Sequence, residues 1–410
     1  MSMRKRTSEL FLGTASAALL ALMTASTVLA DQPDEAEVGV DADEEDAIVI
    51  GGSIPMTGVF AFAGLQFNDG IRDFVRWANE EKGGVNGRKF RYVGQDTGYD
   101  ADQSVGVFRR ITSREDVDFY FGDSTAFSQS INSALNRRDI LMTGASFASE
   151  LNNPEQYPLQ FLLGPDYTEQ VGILLNYIAE EDPGARVALV HSDTEFGRDP
   201  IRASEEMAEE LGLEHVETIV TPAGASDISS AALELRRARP DYTIFHGYIL
   251  SPIPDFIQRA RQMGMDTRFM GTIYTMDQGI IDEMGDAGDG FMGVMPYRYY
   301  YDEEAPDTEV FGAIHEMHDE YRATTYTQGW LAGMLLMQIA QATLDAGDEL
   351  TGTNMRKALD SLEDIDTGGI IGVPVTFRGN SIPVGRIYRA DAEEGRMVPV
   401  SDWIDLDETD

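Results

Sequence analysis

The pattern of hydrophobic and polar positions predicts alternating strands and helices from Ala47 onward. Short apolar runs, such as residues 48–54 and 117–121, have the continuous apolar character of strands buried on both faces. Between such runs, apolar residues recur at helical spacing. Each helix would return the chain to a parallel neighbour, as in an open sheet with helices on both faces. The clearest helical face consists of Phe67, Ile71, Phe74, Val75 and Ala78.

The same alternation begins again near Gly164 and continues as far as Pro296. Beyond Pro296 the pattern changes to two long helices and a short one, followed by strands at residues 370–377, 385–389 and 397–404. The late helices would return to the first unit, and the last strands would reach the second. Several crossings between two units are typical of a hinge.

The sequence therefore predicts an α/β fold of two doubly wound, Rossmann-like parallel-sheet lobes joined by a hinge of several strands. Lobe 1 is expected to contain residues 47–165 and 297–369, and lobe 2 residues 166–296 and 370–410. In such sheets ligands bind beyond the carboxyl ends of the strands. The two sets of strand ends would face one another across a cleft.

The first 46 residues are predicted to lie outside the two lobes. Residues 4–6 are basic, the stretch after them is apolar, and Val28-Leu29-Ala30 fits a cleavage site. Residues 1–30 are therefore predicted to be a signal peptide, cleaved after Ala30, that directs the chain to the periplasm. Residues 31–46 carry nine acids and no base and are predicted to be a disordered acidic leader.

Composition excludes several partners. The formal net charge is −40 and only four lysines occur, so nucleic acid and anionic lipid are poor partners. Such an acidic, halophile-like surface is typical of a salt-rich or alkaline habitat. Cysteine is absent, which excludes disulfides and a cysteine-linked lipid anchor. Two glutamines interrupt the apolar residues 330–342, so a core helix is predicted there and no stable membrane insertion is expected.

Catalytic motifs are scarce, and we predict neither an enzyme nor a bound cofactor or metal. No phosphate-binding loop, serine-hydrolase elbow or zinc-protease helix occurs. His315 and His318 could bind a metal, but a solvated helix face explains them better. Asp96, Asp100 and Asp102 lack the spacing of a calcium loop, and a turn with a helix cap is the better interpretation.

The strand at residues 117–121 leads through Asp123, Ser124 and Thr125 into a helix that starts near Ala126. The N-terminus of that helix would present free N–H groups to an anion such as a carboxylate. A helix capped by its own Ser or Asp is the alternative. The strand-end loops are also rich in aromatic residues, which would be costly to expose unless a ligand or a closing lobe covers them. These aromatic residues are Phe60, Phe62, Phe147, Phe196, Tyr248 and Tyr274.

Six stretches along the chain carry a family resemblance. They are IGGSIPMTGVFAFAG, KGGVNGRKF with the following Asp96, YFGDST, HSDTEFG, FHGY and RARQMGMDTRFMG. Their order and spacing resemble the leucine/isoleucine/valine-binding family of periplasmic solute receptors, which serve ABC importers and have the type I periplasmic-binding fold. The resemblance extends over about residues 48–403.

The resemblance implies a site between the lobes. The ligand carboxylate would be bound by the first lobe, at the turn of residues 124–126 and the loop of residues 145–147. The second lobe would contribute aromatic side chains and the loop after a later strand. The site residues implied are Ser124, Thr125, Ala126, Ala145, Ser146, Phe147, Phe196, Tyr248, Ile273 and Tyr274.

The sequence departs from the family pattern where the ammonium of an amino acid would bind. The family's acid falls on Ile273, Phe196 lacks the usual tyrosine hydroxyl, and the usual loop threonine is replaced near Phe147. A buried ammonium without a carboxylate partner is costly. The ligand classes left open are amino acids, aromatic acids and amides. The acids that could substitute are Asp193, Glu195 and Asp277.

Two functional classes remain open. The first is a monomeric receptor that captures a small carboxylate-bearing solute and delivers it to the membrane permease subunits of an ABC importer. The second is an extracytoplasmic sensing module for a receptor kinase or chemoreceptor. In both, a ligand that touches both lobes only in the closed form would favour closure. Neighbouring permease and ATPase genes would favour transport, and a neighbouring kinase gene would favour sensing.

Overall fold

The computed structural model describes residues 35–39, 46–222, 225, 227–249 and 251–406. The predicted signal peptide, residues 1–30, lies outside these ranges. Within them the strands are β1 (Glu35–Gly39), β2 (Ile48–Ile54), β3 (Phe90–Asp96), β4 (Phe119–Gly122), β5 (Leu141–Gly144), β6 (Arg186–Ser192), β7 (Glu214–Thr221), β8 (Tyr242–His246), β9 (Arg268–Gly271), β10 (Met292–Met295), β11 (Val384–Asp391) and β12 (Arg396–Asp405). The α-helices are α1 (Ala61–Glu80), α2 (Ala101–Arg114), α3 (Thr125–Arg138), α4 (Tyr167–Glu181), α5 (Glu195–Arg198), α6 (Ile201–Glu210), α7 (Ser229–Ala238), α8 (Ile253–Gln262), α9 (Gly279–Met284), α10 (Glu309–Met317), α11 (Thr324–Asp345) and α12 (Gly352–Leu359).

The first sheet has the strand order β1-β3-β2-β4-β5. β2 pairs in parallel with β3 and β4, and β4 pairs in parallel with β5. Every residue of β2 and β4 is buried, which explains their continuous apolar character. β1 adds an antiparallel edge to β3. The prediction of disorder throughout residues 31–46 is therefore wrong for Glu35–Gly39, whose backbone pairs with a sheet edge whatever the charge of its side chains.

The second sheet has the order β12-β11-β10-β9-β8-β6-β7. The neighbouring strands β7, β6, β8, β9 and β10 are parallel, whereas β11 and β12 form an antiparallel extension. In both sheets the first and third parallel strands are neighbours, so β2/β4 and β6/β8 mark topological switch points. The predicted α/β class with two wound parallel sheets is confirmed.

Two details of the second half differ from the prediction. Met292–Met295 forms β10, which the pattern does not reveal because four residues containing Gly293 show no periodicity. Residues 370–377 are predicted to be a strand, but the chain there is irregular and Val375 makes an isolated bridge to Ile365. Gly372 and Pro374 explain the difference, since glycine weakens a strand and proline lacks the N–H that pairing needs.

The late helix α11 packs against α1, and α1 contacts β2 and β3. The two helices approach closely at glycines. A Cβ atom at Gly70 would lie 2.1 Å from the carbonyl oxygen of Tyr326, and one at Gly329 would lie 2.7 Å from that of Phe67. Most residues of α11 are buried, which accounts for its apolar sequence. Nowhere in the described part of the chain is a helix long and apolar enough to cross a membrane.

The segments that connect the two sheets are hydrogen-bonded to one another. The Ile382 N–H donates to the carbonyl of Gly164 at 3.2 Å, and the Arg298 N–H donates to the carbonyl of Ile370 at 2.9 Å. Gly164 lies in the first segment that connects the two sheets, Arg298 in the second, and Ile370 and Ile382 in the third. The two bonds therefore join all three connecting segments. Connecting segments that are bonded to one another in this way are expected at a hinge. The boundaries of the two lobes, given above from the sequence, stay a prediction.

Candidate functional site

An apolar pocket of about 370 Å³ lies between the carboxyl ends of strands from both sheets. Its first wall comes from the loops after β2 and β3, and its second wall from the loops after β6 and β8. These loops adjoin the two topological switch points, where α/β sheets bind ligands. The first wall consists of Val59, Phe60, Phe62 and Tyr99, and the second of Thr194, Phe196, Gly247, Tyr248, Ile249 and Ser251.

The carboxylate of Asp96, at the end of β3, holds the two loops of the first wall together. It accepts hydrogen bonds from the Thr57 N–H at 3.0 Å, the Thr57 hydroxyl at 2.6 Å and the Gly98 N–H at 3.0 Å. Burial tends to raise the pKa of Asp96, but these bonds outweigh it and hold the pKa below its usual value. Gly58 also approaches Gly98 so closely that a Cβ atom would lie 2.6 Å from the Gly98 carbonyl oxygen.

Asp123, directly after β4, joins the next two loops. Its buried carboxylate accepts hydrogen bonds from the hydroxyls of Thr97 at 2.5 Å, Ser104 at 2.7 Å and Ser124 at 2.9 Å. Burial raises the pKa of Asp123 although the three hydroxyls oppose the rise. Asp96 and Asp123 thus fix the loops after β2, β3 and β4 as one rigid surface.

Ser124 caps its own helix. Its Oγ accepts the Phe127 N–H at 3.2 Å and donates its proton to Asp123. The hydroxyl therefore has no second proton to offer a ligand in this arrangement. The alternative interpretation from the sequence, a helix capped by its own serine, describes this side chain.

The backbone of the same turn stays available to an anion. Among the described residues, no acceptor contacts the N–H groups of Thr125 and Ala126 at the start of α3. The Thr125 and Ser146 hydroxyls lie 2.8 Å apart. One of them donates to the other, which leaves one hydroxyl proton free. Two N–H groups and a hydroxyl can together bind a carboxylate.

Four aromatic rings close the space behind the pocket and join the two sheets. Phe147 follows β5, and its ring centroid lies 5.9 Å from that of Tyr167 and 6.0 Å from that of Tyr274. Phe196 lies 4.9 Å from Tyr167 and 5.8 Å from Tyr274. The Tyr274 hydroxyl, from the loop after β9, donates to the Ala145 carbonyl after β5. This bond joins the two sheets behind the pocket.

His246 positions Phe196 in the second wall. Its Nε2 donates to the Phe196 carbonyl at 2.9 Å, and its Nδ1 accepts from the Thr272 hydroxyl at 2.9 Å. Complete burial lowers the pKa of His246 to about 3, so the ring is neutral at ordinary pH. Its centroid lies 4.9 Å from that of Phe196. The neutral imidazole supports the wall through fixed hydrogen bonds and carries no charge to the pocket.

Ile273 is buried, and its N–H donates to the Gln170 side chain at 3.2 Å. The three acids that could replace the family's carboxylate have other partners. Asp193 and Glu195 both pair with Arg198, at 2.5 and 3.6 Å. Asp277 accepts the N–H of Gly279 at 2.7 Å. None of the three lines the pocket.

A polar contact outside the pocket also joins the two sheets. The Ser149 N–H and hydroxyl, after β5, both donate to the Asp199 carboxylate, after α5, at 2.9 and 2.7 Å. Burial, together with the nearby carboxylates of Asp166 and Glu150, raises the pKa of Asp199 to about 6, although the hydrogen bonds from Ser149 oppose the rise.

We expect the raised pKa of Asp199 to lower stability as pH rises. The unfolded chain loses this proton near pH 3.8 and the folded chain near pH 6, so the free energy of unfolding falls across that interval. Asp199→Asn lacks this titration. Its stability relative to the wild type should therefore increase from pH 4 to pH 7, measured by urea unfolding. A constant difference between the two proteins would contradict the assignment.

The structure brings some of the predicted site residues together and sets others apart. Phe196 and Tyr248 line the pocket, and Phe147 and Tyr274 lie in the ring cluster behind it. Ser124 and the residues near it lie at the neighbouring turn, outside the lining. Tyr99 is missed by the sequence analysis, because the loop after β3 offers no motif beyond its single aromatic residue.

The histidines considered as metal ligands have separate partners. His315 Nε2 contacts the Tyr300 carbonyl at 2.9 Å, and His318 Nε2 contacts the Asp73 carboxylate at 2.7 Å. Asp100 caps α2 by accepting the Gln103 N–H at 2.9 Å, as the sequence predicts. The described ranges contain no group of three or more His, Asp or Glu side chains that could hold a metal ion.

Comparison with known proteins identifies the family. The family model described as periplasmic binding protein matches residues 47–396, which is most of the chain. The chain belongs to this family. Among curated relatives, the Leu/Ile/Val-binding protein of Escherichia coli K12 is 26% identical over 246 residues. The matched residues are 60% of this chain and 66% of that protein, so the chain spans just under two thirds of the length of that relative. The leucine-specific-binding protein of Salmonella typhimurium is 26% identical over 271 residues, 64% of this chain and 70% of that protein.

Solved structures of periplasmic binding proteins share the fold. One is a branched-chain amino acid ABC transporter protein from Thermus thermophilus with bound valine, with a TM-score of 0.77, 24% identity and coverage of 87% of this chain and 96% of that one. Another is a solute-binding protein from Rhodopseudomonas palustris BisB5 in complex with 3,4-dihydroxybenzoic acid, with a TM-score of 0.74, 18% identity and coverage of 89% and 100%. Type I periplasmic binding proteins are thus the structural class of this chain.

Proposed function

We propose that this periplasmic binding protein is the solute receptor of an ABC importer and captures a small carboxylate-bearing solute between its two lobes. The observation that carries the proposal is the apolar pocket, whose walls come from strand-end loops of both sheets. A solute that touches both walls favours the closed arrangement. In this proposal lobe 1 comprises residues 47–165 and 297–369, and lobe 2 residues 166–296 and 370–410.

The proposal assigns the ends of the solute to different parts of the site. The carboxylate binds the N–H groups of Thr125 and Ala126, and the apolar body lies against Phe196 and Tyr248. The position of the family's acid holds Ile273, so the ammonium of an α-amino acid would lack a carboxylate partner. An aromatic or otherwise apolar acid, or an amide, fits the pocket better.

The remaining parts of the proposal concern export, oligomeric state and macromolecular partners. Removal of the signal peptide after Ala30 releases the receptor into the periplasm, where it works as a monomer. Its macromolecular partners are the permease subunits of the importer. No catalytic step and no cofactor enter the proposal.

Titration calorimetry tests the proposal. The panel is leucine, valine, 4-hydroxybenzoate and 3,4-dihydroxybenzoate, and native mass spectrometry of the freshly purified protein is run in parallel. We expect an aromatic acid to bind more tightly than either amino acid, with a stoichiometry of one. Submillimolar binding of leucine without binding of either aromatic acid would contradict the ligand preference. Absence of binding across the panel, together with absence of a co-purified solute, would contradict the receptor itself.

A further inference from the structure

Tyr99 has a backbone conformation that is costly for an aromatic residue. Its φ is +60°, in the left-handed region that favours glycine. Non-glycine residues persist there when the surrounding structure enforces them, and such positions cluster at binding sites. The other described non-glycine residues with positive φ are Asn86, Asp139, Arg239 and Asp364, three of which are of the types that tolerate this region.

The surroundings of Tyr99 show what enforces the conformation. The Tyr99 N–H donates to the Thr97 hydroxyl at 3.3 Å, and Thr97 is held in turn by Asp123. On the other side, Asp96 binds the N–H groups of Gly98 and Thr57. The turn is therefore fixed from both ends, and the side chain of Tyr99 is directed over the loop after β2.

There the ring of Tyr99 stacks on Phe60. The two centroids are 4.0 Å apart and the planes differ by 10°. Both rings line the pocket opposite Phe196 and Tyr248. Phe60 in turn meets the edge of Tyr274 at 6.4 Å. Two parallel rings on one wall and further aromatic rings on the other leave a space bounded by flat apolar surfaces.

The hydroxyl of Tyr99 has no hydrogen-bond partner among the described residues, and the residue is half-buried. Burial raises the pKa of this phenol, and the carboxylates of Asp123 and Glu195 raise it further, so it keeps its proton. A protonated hydroxyl at the pocket wall can donate to a polar substituent of a solute.

We propose that Phe60 and Tyr99 form an aromatic shelf that binds the planar ring of the solute, and that Tyr99 determines the preference for planar over aliphatic rings. The inference rests on the proposed receptor function and narrows its solute class to ring-bearing carboxylates. The shelf explains why a strained tyrosine occupies a turn that glycine would fit. Offset stacking and edge contacts favour a planar π-system over a puckered ring of similar size.

Benzoate and cyclohexanecarboxylate form a matched pair of probes, since both carry a carboxylate on a six-membered ring and one ring is planar. We expect the wild-type protein to bind benzoate about tenfold more tightly in titration calorimetry. Tyr99→Gly should remove most of that preference, mainly by weakening benzoate. Tyr99→Phe should retain it, because the stacked ring remains.

Thermal unfolding separates binding from folding. Tyr99→Gly should lower the melting temperature of the ligand-free protein only modestly, because glycine adopts a φ of +60° without strain and this offsets part of the packing lost with the ring stacked on Phe60; the variant should stay folded at the temperature of the calorimetry. The matched control is Asp364→Gly, at an exposed residue with a φ of +50°, which should leave both probe affinities unchanged.

Two kinds of failure can be told apart. Equal wild-type affinities for the two probes, binding of neither probe, or an unchanged preference in Tyr99→Gly would overturn the shelf. If leucine or a hydroxybenzoate still binds in those cases, the receptor proposal survives. If the wild-type protein binds none of the solutes tested, both the aromatic shelf and the receptor proposal are overturned.

Discussion

Replacing Phe196 by alanine is expected to abolish measurable solute binding and to lower the free energy of unfolding by about 3–5 kcal/mol. The side chain is 5% exposed and lines the pocket, while its ring contacts those of Tyr167, His246 and Tyr274. Truncation removes one wall of the pocket and leaves a cavity beside the ring cluster. Calorimetry with the solute that the wild type binds, and urea unfolding, measure the two effects.

Phe269→Ala is the matched control for Phe196→Ala. Phe269 is 2% exposed and lies in β9 of the second sheet. Its ring stacks on that of Phe245, with the centroids 5.7 Å apart, and it does not line the pocket. Its truncation should reduce stability to a similar extent and leave solute affinity unchanged. Equal affinities of Phe196→Ala and the wild type, measured well below the unfolding transition, would remove Phe196 from the site.

Gly70→Ala is expected to lower the free energy of unfolding by more than ~3 kcal/mol. The added Cβ would lie 2.1 Å from the Tyr326 carbonyl oxygen, which belongs to the backbone of α11 and cannot rotate away. The helices α1 and α11 would have to separate, and the core around Phe74 and Trp330, whose rings lie 6.0 Å apart, would lose packing. Urea unfolding at neutral pH measures the loss.

Gly106→Ala, in α2, serves as the control for this substitution. The nearest atom to its added Cβ is a side-chain nitrogen of Arg110 at 3.7 Å, an ordinary contact. Alanine is the better helix former, so Gly106→Ala should raise stability by about 0.5–1 kcal/mol. If both variants changed stability in the same direction, the close helix approach would not be the cause of the effect at Gly70.

The sequence predicts the elements whose pattern is local. β2 has the predicted bounds Ile48–Ile54, and Asp100 caps α2 as predicted. Each depends on a few neighbouring residues. Residues 370–377 differ because strand formation there depends on a partner, which Gly372 and Pro374 prevent.

The candidate site was predictable only in part. The aromatic loops after β2, β6 and β8 stand out in the sequence because apolar residues rarely cluster at strand ends. The roles of Asp96 and Asp123 could not be predicted, since each carboxylate collects donors from loops far apart in the chain. For the same reason the stacked position of Tyr99 depends on two loops whose contact the sequence does not specify.

The pairing of α1 with α11 has a consequence for the order of events during synthesis. α1 ends at Glu80, whereas α11 begins at Thr324. A ribosome must therefore make most of the polypeptide before the glycine-lined face of α1 can be covered. Until then, the apolar surface around Phe74 stays open to water or to a chaperone, and the emerging N-terminal part cannot reach its final packing. Truncation before α11 should accordingly give an aggregating product even though every strand of the first sheet is present.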